Sequence, residues 1–87
     1  MDFLDEALFN ARLQARLKET RIALDWSHPR MADALRIKTD AYKKYENREG
    51  SAFPLYLLPR LAFVTGKPLP YWLGMDEATP KRFRIVK

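Results

Sequence analysis

At 87 residues, 47% of them hydrophobic, the chain can bury one small core, so a single domain is expected and a partner subunit would help it. It has no cysteine and one histidine, which excludes a disulfide framework, thiolate chemistry and a multi-histidine metal site. The net charge is +5, with three acids and no base in residues 1–9 and four bases and no acid in residues 80–87, so the basic middle and tail suit a polyanion.

The bland reading of that charge is a solvated basic surface without a ligand. No apolar run approaches the roughly 20 residues of a membrane span, and Met1-Asp-Phe-Leu-Asp-Glu is acidic where a signal peptide would be basic. A cytoplasmic protein is expected. Repeats and low-complexity tracts are absent from the sequence.

Asp2 to Leu24 contains no Gly or Pro and is dominated by helix-favouring residues, which predicts an extended first helix over 2–24. Phe9, Leu13, Leu17, Thr20 and Leu24 share one face of it. Leu4, Leu8, Ala11, Ala15 and Ile22 share the opposite one, and only one face can enter a single small core. Ser27 is a good N-cap for a second helix, with Pro29 tolerated in its first turn, where the amides have no helical partner. Met31, Ala32 and Leu35 make its apolar stripe, and Ile37 follows as a plug. Ala41, Tyr42 and Tyr45 then repeat at helical spacing, with Lys38, Lys43, Lys44 and Arg48 pointing elsewhere, so the next helix is apolar on one side and basic on the other.

Asn47 to Pro54 reads as a loop, because Gly50, Ser51 and Pro54 are breakers. A fourth helix is predicted over 57–65, with Pro59 in its first turn and Gly66 as its terminator, and a short fifth helix over 69–74 brings Trp72 into the core. Residues 75–87 form a basic tail in which Phe83 and Ile85 alternate with Arg82 and Arg84, the period of a short, half-buried strand.

The order RLKETRIALDWSHPRMADAL, IKTDAYKKYEN, YLLPRLAFVTG, YWLG resembles the Cro/repressor-type (lambda-repressor-like) helix-turn-helix family of phages and bacterial regulators over roughly Arg12 to Gly74. That resemblance implies an all-α, five-helix DNA-binding domain over residues 1–74 with the motif at 27–47. It also implies a partly buried ion pair between Arg21 and Glu46. The chain departs from the family's usual pattern at Asp25 and Arg36, where Gly is common, and at His28, where Gln is common.

A recognition helix of this kind lies in the major groove with its N-terminal side chains at base edges. By motif position the resemblance makes Thr39, Asp40, Ala41 and Lys44 the base readers. Lys44 could donate to guanine O6 and N7, the Ala41 methyl could meet a thymine methyl, and Asp40 could accept from cytosine N4. Ser27, His28, Lys38, Lys43, Asn47, Arg48 and Ser51 are the phosphate candidates. Each has a plainer reading: the lysines and Arg48 as a solvated face, Asp40 as a partner of its own helix dipole, His28 as a surface residue.

The resemblance implies a DNA-binding transcriptional regulator of prophage-repressor type, acting as a homodimer on a palindromic operator in double-stranded DNA. The rival is a protein-interaction module, antirepressor or antitoxin-like, that kept the fold and binds a protein partner. No cofactor is expected, and no enzyme, since nothing supplies a nucleophile with its base, paired acids or a metal. The dimer is expected at the ends, through Leu4 and Leu8 or through Phe83 and Ile85, the alternative being that either end folds back on its own domain.

Overall fold

The computed structural model describes residues 6–47 and 51–75 of the chain. These residues form five helices and, among themselves, no strand: α1 (Glu6–Ala23), α2 (His28–Leu35), α3 (Thr39–Asn47), a 3-10 turn at Leu55–Leu57 that runs into α4 (Leu58–Thr65), and α5 (Leu69–Trp72). The strand expected near Phe83 and Ile85, with the rest of the tail beyond Met75, lies outside the described residues, as do Leu4 and Arg48.

Of the two apolar faces of α1, the one through Leu13, Leu17 and Thr20 is buried, whereas Leu8 and Ile22 on the other side are exposed. Arg16 is buried on the inner face as well. Its Nη1 donates to the Tyr71 carbonyl at 2.5 Å, and its guanidinium lies 4.6 Å from the centre of the Tyr71 ring, so a charged side chain ties α1 to α5.

Both ends of α2 are set by local chemistry. The Ser27 hydroxyl accepts from the Arg30 N–H at 3.2 Å and so satisfies one first-turn amide of α2, while Pro29 sits where no amide is needed. At the other end, Arg36 takes the left-handed conformation (φ 60°, ψ 44°), its N–H donates to Asp33 O and the Ile37 N–H donates to Ala32 O, both at 3.0 Å. This paired closure turns the chain sharply and lets half-buried Ile37 pack against the core. The same closure ends α1, with Asp25 left-handed (φ 60°), its N–H on Ile22 O and the Trp26 N–H on Arg21 O. Gly66 ends α4 at φ 76°; an added Cβ would meet nothing within 4 Å, so its backbone angle, not space, favours glycine.

Around this frame the core gathers Leu13, Leu17, Met31, Ala32, Leu35, Tyr42, Phe53, Leu57, Leu58, Leu61 and Trp72. Helix α2 packs on α3 and on α4, α1 packs on α3, and α5 closes against α4. Trp72 is fully enclosed and its indole N–H donates to the Lys67 carbonyl at 3.2 Å, so its one polar atom is satisfied.

Arg36 is an exposed β-carbon-bearing residue in a left-handed conformation, which costs about 1–2 kcal/mol relative to glycine. Glycine loses more backbone entropy on folding, about 0.5–1 kcal/mol, so Arg36→Gly should stabilise the domain by up to about 1 kcal/mol. A thermal melt should show the midpoint rising by several degrees, roughly 4–8 °C per kcal/mol for a domain of this size. A lower midpoint would mean that Arg36 makes a compensating contact.

Candidate nucleic-acid interface

Helix α3 is held from its inner side by one carboxylate. Glu46 is buried at its C-terminal end, and its Oε2 accepts from Arg21 Nε of α1 at 2.8 Å and from the Tyr42 hydroxyl at 2.5 Å. Its Oε1 accepts from Arg21 Nη2 at 3.1 Å and lies 3.1 Å from His28 Nε2, at the start of α2. The third Arg21 nitrogen, Nη1, donates to the Trp26 carbonyl at 2.8 Å. One side chain therefore joins the last turn of α1, the first residue of α2 and the length of α3. Among the described residues no buried side-chain nitrogen or oxygen is left without a partner.

The electrostatics follow from this packing. Burial by itself pushes the Glu46 carboxyl up, but the bonds from Arg21 and Tyr42 outweigh it and hold the group below the usual carboxylate range. The hydrogen bond to Glu46 raises Arg21, against the effect of burial. Burial, and then the bond to Glu46, pushes the Tyr42 hydroxyl well above its ordinary value, so it stays a donor. The knot is thus a charged pair with a neutral phenol, and three donors, Arg21 Nε, Arg21 Nη2 and the Tyr42 hydroxyl, hold the carboxylate in place.

With Tyr42 and Glu46 turned inward, the opposite side of α3 is exposed at Asp40, Lys43, Lys44 and Asn47. These fall at i, i+3, i+4 and i+7 and make one stripe along the helix. Thr39 and Ala41 flank it, each partly exposed. Lys38, just before the helix, is exposed, and so is Arg36 in the turn. From Arg36 to Asn47 the exposed charges are four cations against Asp40 alone, because Glu46 is neutralised from within by Arg21.

At the start of α2, Ser27 is exposed and its hydroxyl caps the helix, and the Arg30 guanidinium stacks 4.8 Å from the centre of the Trp26 ring. The structure changes the role expected for His28. Its Nε2 lies 3.1 Å from the Glu46 carboxylate, so the ring is engaged on the inner side of α3, and its backbone amide remains in the first turn of α2. The Ser51 carbonyl accepts from Gln14 Nε2 at 3.1 Å, which ties the segment before the 3-10 turn to α1. Arg48 lies outside the described residues.

Two features had no place in the sequence reading: Tyr42 as a donor to Glu46, and the Trp26–Arg30 stack. The first had a signal, since Tyr42 and Glu46 are four residues apart on one helix; the second had the same spacing across a helix start, where spacing says little. Among the described residues no group of three or more His, Cys, Asp or Glu could hold a metal ion, and no helix is long and apolar enough to cross a membrane. Compared with family models, curated proteins and solved structures, the chain matches none.

Proposed function

We propose that the protein is a sequence-specific DNA-binding regulator of the helix-turn-helix kind, a prophage-type repressor that acts as a homodimer on a palindromic operator. The observation that carries this reading is the two-sided build of α3. Its inner side is locked to α1 and α2 through Glu46, and its outer side presents Asp40, Lys43, Lys44 and Asn47 as one polar, basic stripe. A nine-residue helix fixed in this way fits the major groove, and the three-residue turn Arg36–Lys38 sets it against α2. Thr39, Asp40, Ala41 and Lys44 then read base edges. Lys38, Lys43, Asn47 and Arg48 hold phosphates, as do Ser27, the His28 amide and Ser51.

The roles of the two lysines separate in an experiment. Lys44→Ala should cost about 1–3 kcal/mol on the preferred site and relax preference at one base position, as loss of a base contact does. Lys43→Ala should weaken all duplexes alike and bring the salt slope toward zero by about one per protomer bound. Selection of purified protein on random duplexes supplies the preferred site, and titration of both variants on it and on scrambled DNA makes the comparison. Equal, sequence-independent losses for both variants would reject these roles.

A further inference from the structure

The surface that the DNA reading leaves unused is apolar. From Ala52 to Thr65 the chain holds one charged residue, Arg60, in a protein that is 31% charged. Within that stretch Leu55 is 77% exposed, Tyr56 76% and Phe63 84%, the three most exposed large hydrophobic side chains among the described residues. Tyr56, Pro59, Arg60 and Phe63 fall at i, i+3, i+4 and i+7, along one side of the 3-10 turn and α4, and with Leu57 they line an open groove of about 430 Å³. Arg60 Nη1 reaches back to the Leu35 carbonyl at 3.5 Å, which draws the one charge of this face toward α2.

We infer that this face is where a second copy of the chain docks, the 3-10 turn and α4 of one protomer against the same elements of its partner across a two-fold axis. A two-fold contact sets a patch against itself, so the patch must carry both what protrudes and what receives. This one does, with Leu55 exposed next to an open groove whose walls are the rings of Tyr56 and Phe63. Charge points the same way. A chain of net charge +5 repels its copy, and the repulsion is least where the surface is uncharged. A polyanion would find one cation here, and the basic tail, with four bases in residues 80–87, would bring its charges next to Arg60.

The area sets the strength. Large aromatic side chains bury about 150–250 Å² each, so Leu55, Tyr56 and Phe63, with Pro59 at their edge, supply roughly 500 Å² per protomer and roughly 1,000 Å² in all. That total is at the lower limit for a specific interface, so the dimer is a weak one that two adjacent half-sites on DNA complete. The inference rests on the homodimer of the proposed function and is independent of its DNA.

Sedimentation equilibrium of the full chain without DNA, from micromolar to near-millimolar protein, tests it. Concentration-dependent dimerisation is expected. Phe63→Glu and Tyr56→Lys, each at a position that contributes nothing to the core, should weaken it at least tenfold while melting like the parent. Leu8→Lys, and the double change Phe83→Ser with Ile85→Ser, should leave it unchanged. A parent that stays monomeric throughout would overturn the inference, as would loss of the dimer only in the Leu8 or Phe83/Ile85 variants. A Phe63→Glu monomer that still binds a single half-site supports both readings; a dimer that depends on Phe63 in a protein that binds no duplex keeps this inference and rejects the DNA.

Discussion

Glu46→Ala should cost about 3–5 kcal/mol of folding stability, a large part of the roughly 5–15 kcal/mol available to a small domain. The substitution removes the acceptor for two Arg21 nitrogens and the Tyr42 hydroxyl, and the partner that His28 Nε2 faces. It strands a guanidinium whose side chain is 11% exposed and a phenol inside the core. The stranded charge dominates the loss, since an uncompensated buried cation costs more than the pair gains. Removing Arg21 as well should therefore recover part of it. Urea titrations of Arg21→Ala, Glu46→Ala and the double variant should give a coupling well above the roughly 0–1 kcal/mol of an exposed pair. Additive losses would mean that the pair does not hold the helices together.

The same carboxylate gives the protein an acid limit. In the folded chain Glu46 titrates below its ordinary value of 4.5, so as pH falls the unfolded chain takes up the proton first. The stability it contributes is complete above about 4.5 and is lost as pH falls through the folded-state value. Glu46→Gln should be less stable at neutral pH and should lack this part of the acid slope.

What the sequence disclosed follows from how local each feature is. The caps and stops at Ser27, which starts α2, and Gly66, which ends α4, were readable because one or two residues decide them, whereas the left-handed turn at Arg36 was expected only from the resemblance. The inward Tyr42 followed from helical spacing, whereas spacing gave α1 two apolar faces and only the resemblance chose the one through Leu13 and Leu17. The Arg21–Glu46 pair came from resemblance alone, since no periodicity joins residues 25 positions apart. The inward turn of His28 was not legible, because it depends on how the first residue of α2 sits over the last turn of α3. Periodicity also cannot say whether a second layer covers an apolar side. Leu57, Leu58 and Leu61 entered the core while Leu55, Tyr56 and Phe63 stayed outside. Arg16 is the converse, a charged residue buried because the Tyr71 ring and carbonyl receive it.

The largest functional effect expected is that of salt, because the proposed contacts are mostly cations on phosphates. Lys38, Lys43 and Arg48 would neutralise about three phosphates per protomer and about six per dimer, and each phosphate contributes about −0.9 to the slope of log affinity against log salt. A slope near −5 follows, and with it a loss of roughly a thousandfold between 50 and 200 mM salt. Lys43→Ala should bring the slope toward zero by about one per protomer bound, while Glu46→Gln tests whether the helix must be locked for the sites to be discriminated. The direct measurement is duplex affinity of the full chain across that salt range, on the site selected from random DNA. The account predicts a straight line of slope about −5 with the selected site bound well above scrambled DNA at every salt. A flat line, or equal affinity for both duplexes, would contradict it.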